Sequence, residues 1–349
     1  MADVAMRSMA PSDGPAIDAL MRSEAQTTRV SLSTHYLHDV YEALLAQHPT
    51  LFGVVVEKAG GDGLVGMATA FTDEVGVGGA TLPSAQLENL KVRHDVRRQG
   101  LGSRLASWRI DEARRRFGRD GVIVAGVEAS NAASLATAAR WASQVLGPLR
   151  IVIGQTTPKR PTQSDLEVRP ATDRDIEAIV ESTNRYYAEH LLFPVFTASR
   201  LEASLGPTAL GEPIRQYRVA VARDGTIVAG AELVERFKIM VDHIEQMPWP
   251  IAMLGRLSGQ LPADRIIRSV ELGGVWHADG QSAAVGHLWD AIRHEWRERA
   301  TNVVAVNDPR GSLIDQFRIG RSFAPRIELM VPVSSPVRLD ERRLVYIGR

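Results

Sequence analysis

Apolar and polar positions along the chain fall into two rhythms, and the rhythm changes often. Short alternating or continuous apolar runs predict strands at Val4 to Met9, Leu51 to Glu57 (LFGVVVE), Leu64 to Phe71 (LVGMATAF), Ser84 to Val92, Gly121 to Glu128 and Pro148 to Gly154. The run Gly121 to Glu128 is nearly all apolar, as expected of a strand covered on both faces. Spacings of three and four predict helices. Ser12-Asp13 caps one that carries Ile17, Leu20 and Met21, and Ser33 to Gln47 forms a second. Ala106, Ile110, Ala113 and Phe117 form the apolar face of a third, and Asn131 to Ser143 is Ala-rich. Gly60-Gly61-Asp62-Gly63 reads as the turn between two of the strands. The expected order is strand, two helices, three strands, helix, strand, helix, strand. That is an α/β chain with a mixed α+β sheet flanked by helices.

The order then begins again. GQTTPKRPTQSD, 154 to 165, is polar and Pro-containing and reads as a linker. VRPATDRDIEAIV at 168 to 180 echoes MRSMAPSDGPAIDAL at 6 to 20: a strand with Arg, a cap region with Asp, then spaced Ile or Leu. Tyr217 to Ala222 and Ile227 to Val234 predict two strands about Asp224-Gly225, and Val270 to Val275 predicts a central one. A helix from Ser282 carries Val285, Trp289, Ile292 and Trp296. Asn302 to Val306, a helix near Ser312, and Ile327 to Val333 complete the series. Glu271 stands four residues before Val275 as Glu88 stands before Val92. The chain therefore divides into 1–154, a linker at 155–165, and 166–349. The stretch 237 to 264 is long for a connection and carries Met240, Met247, Trp249, Met253 and Leu254, which suggests a lid or a subunit contact, or else a helical cap on the second core. The tail Arg343 to Ile347 reads as a last strand, one that could complete the first half's sheet.

Composition changes this picture little. Hydrophobic residues make up 44% and charged residues 23% of 349, a globular balance. Lys plus Arg and Asp plus Glu are both 41, so nothing points to nucleic acid or an anionic membrane as partner. Cysteine is absent, which excludes disulfides, thiolate metal sites and a cysteine nucleophile. The first residues lack the pattern of a signal peptide and no run approaches 18 apolar residues, so the expectation is a cytoplasmic protein, monomer or homodimer. No His, Asp or Glu cluster has metal-ligand spacing, and no metal is expected.

The chemistry concentrates between Ser84 and Phe117. A strand ending at Val92 runs into Arg97-Arg98-Gln99-Gly100-Leu101-Gly102, and a helix starts there. Glycine allows an unusual dihedral or a close approach, and the first NH groups of a helix have no intrahelical partner. With the positive end of the helix dipole behind them, these groups form a phosphate site. There is no Gly-Lys-Ser/Thr, so this is not a nucleotide P-loop, and Gly-x-Gly has no third glycine three residues on, so the dinucleotide fingerprint fails.

What remains, Arg-x-x-Gly-x-Gly after a strand, with Val92 five residues before Arg97, resembles the acyl-CoA pyrophosphate loop of the GNAT superfamily of N-acyltransferases. The resemblance covers residues 4 to 154, with a weaker, degenerate copy in the second half. It implies a sheet splayed open at the central strand, with acetyl-CoA or another acyl-CoA as co-substrate lying in the gap. It places the pyrophosphate on Arg97, Arg98, Gln99, Gly100, Leu101, Gly102 and Ser103, and an oxyanion site near Leu90 and Val92. Asn131 matches the family's CoA-contacting Asn, with Ser134 in place of its usual Ala. Glu88 is the candidate base: a lysine-like amine is neutral in only roughly one molecule in two thousand at pH 7, so the acceptor must lose a proton. Tyr36 and Tyr41, with His35 and His38, border the acceptor side on the second helix; His94 and Asp95 cap the turn. Two departures stand out. Thr137 and Ala138 occupy the positions where many members carry a Tyr that protonates the departing thiolate. In the second half the aligned loop, Gly280 to Val285, lacks the Arg and both glycines. The implied function is N-acetyl transfer to a primary amine of a small molecule or peptide; the alternative is a non-catalytic acyl-CoA-binding sensor or regulatory module.

Overall fold

The computed structural model describes residues 4–348 apart from 24–25, 28–30, 61–62, 163, 251–252, 254, 256–260 and 319–326. Gly61, Asp62 and Leu254 of the sequence reading lie outside the described residues. Each half opens on the same device. Strand Val4–Ser8 leads to helix Gly14–Ser23, and Arg7 grips Asp13 with both guanidinium nitrogens at 2.8 and 2.6 Å. Asp13 also accepts from the Ala10 amide at 2.8 Å. Strand Glu167–Pro170 leads to helix Ile176–Tyr187, with Arg169 on Asp175 at 2.7 and 2.9 Å and the Thr172 amide at 2.7 Å. In both places one carboxylate closes the turn that sends the chain from strand to helix.

The helix expected over 33 to 47 is divided. Ser31–Tyr36 is a strand and only Val40–Gln47 is helical, capped by Asp39, which accepts from the Tyr41 and Glu42 amides at 2.9 and 3.3 Å. The strand exists because a distant segment pairs with it. Met240–Gln246, from the long connection of the second half, runs antiparallel to it with Tyr36 opposite Met240. A ladder across some 200 residues of sequence outweighs the local helical spacing. Beyond it, Trp249 and Met253 are 73% and 52% exposed. The helix expected at 131 to 143 spans only Ala132–Ala138, and the one near Ser312 is a single turn at Ile314–Gln316.

Among the described residues, one sheet of thirteen strands spans both halves. From one edge it runs Val4–Ser8, Leu51–Lys58, Leu64–Val77, Ala80–Val92 and Val122–Ala125. Ile327–Ser334 from the second half comes next, then Gln144–Gln155 from the first. Asn302–Asn307, Ser269–His277, Ile227–Val234, Arg215–Val221 and Glu167–Pro170 complete the path of twelve, and the thirteenth strand, Val127–Glu128, pairs off it with Ile327–Ser334. The halves have exchanged their late strands. Val333 pairs with Val124, and Ala305 pairs with Val152. Ile327–Ser334, not the tail, occupies the place left open in the first half's sheet. Leu344–Val345 of the tail pairs instead with His190–Leu191, within the second half. The exchange merges the cores: Val122, Val124, Leu146 and Leu149 pack with Leu329, Val331, Val333 and Val345 in one cluster. A second seam joins Gly76 to the loop after His190–Leu191. The Gly76 amide donates to Phe193 O at 2.9 Å, and a Cβ there would sit 2.6 Å from that oxygen, so glycine is required.

Candidate functional site

The central strand Ala80–Val92 pairs in parallel with Val122–Ala125 only as far as Leu87 opposite Ala125. Past that point the neighbour bends at Gly126, and Val127–Glu128 turns away to pair with Leu329 and Met330. Val122–Ala125 thus supplies no ladder partner to residues 88 to 92 on that side. Asn89 takes a φ of 48°, and the register against Leu64–Val77 slips between Thr69–Glu88 and Met67–Lys91. This bulge breaks the strict in–out alternation of the strand. Leu87, Leu90 and Val92 all pack toward helix Leu101–Phe117, Leu87 with Ile110 and the other two with Leu101 and Leu105. Gln86 and Glu88 are left to the opposite face.

The same bulge recurs in the second half at Gly274, φ 53°, between Glu232–Gly273 and Gly230–Trp276. Asn89 therefore corresponds to Gly274, and Glu88 to Gly273 rather than Glu271. The loop there is short. Gly280, φ 73°, precedes helix Ser282–Glu295 by two residues, so a glycine with positive φ survives although the Arg-rich segment is gone.

On the loop side a cavity of about 860 Å³ is lined by Leu90, Val92, Arg97, Arg98, Gly100 to Ser103, Asn131 and Ser134. Arg98 and Gly100 both have positive φ, 63° and 79°. Gly100 is the helix N-cap and has no side chain to cap with, so the first amides of Leu101–Phe117 point outward without one. Arg97 donates through Nε to Val92 O at 2.9 Å, closing the loop on the strand. Asn131 Oδ1 accepts from the Ser134 amide at 3.0 Å, so this side chain caps its own helix. Arg140, absent from the sequence reading, reaches the same rim and donates to Ser103 Oγ at 3.0 Å. Its signal, an Arg after an Ala-rich helix, was too plain to read. Asp95 pairs with Arg93 Nε at 2.7 Å in the turn before the loop.

Deeper in, a second cavity of about 570 Å³ shares Leu90, Lys91, Asn131, Ser134 and Thr137 with the first. Glu88 lies on its wall. Gln86 Nε2 donates to Glu88 Oε1 at 2.9 Å, and His48 Nε2 lies 3.4 Å from Glu88 Oε2. The His48 ring is stacked on Phe71 with centroids 3.8 Å apart and planes 5° from parallel. Arg215 of the second half donates to Gln47 O at 2.7 Å, which fixes the backbone just before His48. His48 was missed from sequence because it stands in a loop and only the fold brings it to the central strand. Arg109 was missed because it sits at a position read as ordinary helix surface. It is 3% exposed and donates through Nη1 to Glu88 O at 2.7 Å and Thr69 O at 2.9 Å. Burial lowers its pKa to about 9, against the opposing pull of Glu88. A buried guanidinium thus holds the carbonyl that the bulge turns out of the ladder.

Tyr36 lines the same cavity from its strand, and burial pushes its hydroxyl up to about 12. His35 is on that strand and His38 lies between strand and helix, whereas Tyr41 is in the first turn of the helix and does not line this cavity. Thr137 does line it, but its hydroxyl is donated to Ala133 O at 3.0 Å. Arg236, Met240, Glu271 and Leu329 of the second half close the far wall. Among the described residues no group of three or more His, Cys, Asp or Glu could hold a metal ion, and no helix is long and apolar enough to cross a membrane.

Residues 17–142 match the model of the acetyltransferase (GNAT) family. Among solved structures, the Saccharomyces cerevisiae N-myristoyltransferase with bound myristoyl-CoA is 14% identical. It superposes at a TM-score of 0.65 over 100% of this chain and 90% of that one. A GCN5-related N-acetyltransferase from Sphaerobacter thermophilus is 15% identical, with TM-score 0.56 over 97% and 98%. A glucosamine N-acetyltransferase region of a fungal multi-domain β-N-acetylglucosaminidase is 14% identical, with TM-score 0.55 over 95% and 38%. No curated protein matches by sequence. At such identities the likeness establishes the fold, including its continuation through the second half.

Proposed function

We propose, for a chain whose residues 17–142 match the model of the acetyltransferase (GNAT) family, that it transfers an acetyl group from acetyl-CoA to a primary amine. The observation that carries the reading is the coincidence of three things along one strand. These are a helix N-terminus without a side-chain cap for pyrophosphate, a ladder to Val122–Ala125 that stops at Leu87, and a carboxylate on the cavity wall at the next residue. The pyrophosphate would lie on Gly100 to Ser103, with Arg97, Arg98 and Arg140 adding charge. The pantetheine arm would occupy the gap between Leu90–Val92 and Gly126–Glu128. Backbone amides of that splayed strand would polarise the thioester carbonyl. Glu88, with His48 beside it, would take the proton of the acceptor ammonium. The freed amine nitrogen attacks the carbonyl carbon, the tetrahedral intermediate collapses with cleavage of the C–S bond, and the surplus proton on the nitrogen passes to the departing thiolate, giving the amide and CoA. The usual Tyr is missing at Thr137 and Ala138, and the thiolate, with a reference pKa near ~8.5, departs without a dedicated acid.

That missing Tyr also supports a second reading, an acyl-CoA-binding module without turnover. The two separate in one experiment. Acetyl-CoA is titrated into the protein by calorimetry, and thiol release is then followed with a panel of amines. The proposal expects one site per chain and amine-dependent release of CoA. Binding without release under any amine favours the sensor. Gly102→Glu makes the control. A Cβ at Gly102 meets only Leu90 Cδ2 at 3.8 Å, so the helix tolerates the change and a first-turn carboxylate favours it. A charge on the phosphate seat should weaken acetyl-CoA binding by about 100-fold or more with the melting temperature unchanged or raised. Unaltered binding in this variant would place the cofactor elsewhere.

A further inference from the structure

A third cavity, about 370 Å³, opens on the other side of Glu88 and is walled mostly by the second half. It meets the cavity of Glu88 at Gln47, His48, Gln86 and Ile347, which line both. Its walls are aromatic and aliphatic: Phe71, Leu192, Phe193, Phe196, Tyr217 and Tyr346. Their polar ends are turned inward and engaged. Tyr217 Oη accepts from Trp276 Nε1 at 2.7 Å, and burial drives the hydroxyls of Tyr217 and Tyr346 well above the usual phenol range. Phe193 and Tyr217 are 8% and 3% exposed, held by their own packing rather than by a ligand. Four of the five Asp, Glu and Arg residues on the walls pair with one another, and the fifth, Glu74, is exposed. Arg200 is bonded to Asp73, and Arg215 lies 3.9 Å from Glu232. The four paired charges offer no fixed counter-ion to a charged ligand body, and the Glu74 carboxylate is exposed to solvent rather than buried against the ligand.

We propose that this inter-lobe cleft is the acceptor site, and that it takes a primary amine carried on an uncharged, apolar body of aromatic size, presented amine first to the Glu88–His48 pair. The proposal rests on the transfer reading above and names its substrate class. The body fills the aromatic chamber, and the amine passes the neck formed by His48 and Gln86. At the neck the amine meets a carboxylate already held by Gln86 and His48. Acyl-CoA enters from the opposite side through the gap at Leu90–Val92, so the two substrates converge on the central strand without crossing. The second half, without its own phosphate loop, thus serves as the specificity wall of the first. Arg215 links the two tasks, since it lines the cleft and anchors the residue before His48.

The test compares 4-phenylbutylamine with ethanolamine and spermidine as acceptors, at saturating acetyl-CoA, by kcat/KM. Burying a phenyl-sized body should favour phenylbutylamine by about 10- to 100-fold. Ala203→Trp fills the cleft from an exposed helix position, and Phe193→Ala empties its wall. Each should collapse that preference by about tenfold, and Ala203→Trp serves if Phe193→Ala fails to fold. Equal use of the three amines, preference for spermidine or for a peptide amine, or a preference untouched by Ala203→Trp overturns the assignment. If no amine is acylated, the transfer reading fails by itself. The cleft is then judged by direct calorimetry with phenylbutylamine, where binding lost in Ala203→Trp sustains it as an apolar-amine site and absence of binding refutes it.

Discussion

Glu88 owes its place to its neighbours as much as to its own position. Gln86 Nε2 donates to Glu88 Oε1 and, at 2.9 Å, to Gly348 O, so the last described residue of the chain is tied to the same pair. His48 approaches the other oxygen, and Arg109 holds the backbone carbonyl from below. If Glu88 accepts the acceptor's proton, Glu88→Gln keeps shape and hydrogen bonding but loses basicity. We expect kcat to fall by about 10² to 10⁴ with acetyl-CoA affinity retained. Steady-state kinetics beside calorimetry will tell, and a fall below tenfold would mean that another group removes the proton. The family resemblance pointed to Glu88 on the central strand. It could not name His48 or Arg109, because each reaches Glu88 only through tertiary contacts.

At the scale of elements, the Arg–Asp turn is the part of the repeat that the sequence carried most plainly. Arg7 with Asp13 and Arg169 with Asp175 both stand six residues apart, and both carboxyls lie below the usual carboxylate range because the guanidinium bonds to them. A carboxyl whose folded pKa is depressed contributes stability above its unfolded value of ~3.9, and that contribution is lost as pH falls through the folded value. Stability should therefore hold above about pH 5 and decline below about pH 4. Asp175→Asn should cost about 1–3 kcal/mol at pH 7 and flatten the acid decline. Urea melts of both proteins at pH 7 and pH 3 provide the check, and equal losses at the two pH values would contradict it. Elements that depend on remote pairing were less legible. Ser31–Tyr36 carries a spacing compatible with a helix and becomes a strand because Met240–Gln246 lies beside it. Strict alternation along Ser84 to Val92 would put Leu87 and Leu90 on opposite faces; the extra residue at Asn89 brings them to one face, and a bulge leaves no signature in alternation.

For the whole molecule, the exchange of Ile327–Ser334 and Gln144–Gln155 decides how the halves depend on each other. Separated at 155–165, the first half would lack the strand beside Val122–Ala125, and the second the strand beside Asn302–Asn307. Each would expose part of the shared cluster of Val124, Leu149, Val331 and Val333. Expressed alone, each half should be largely insoluble or molten, and co-expression should restore a folded complex; near-ultraviolet circular dichroism distinguishes these outcomes. A cooperative melt from either half alone would refute the interdependence. Sequence by itself determined the local grammar: the strand–loop–helix with its glycines, the repeated Arg–Asp turn, the absence of thiols and the α/β class. Those features are written in residues close along the chain, where periodicity and turn chemistry act. Only the tertiary structure decided which strand fills which gap, which His meets Glu88, and what walls the cleft opposite the cofactor gap. Those are contacts across hundreds of residues, selected by burial and ladder closure over the whole sheet, and no short stretch of sequence contains both partners.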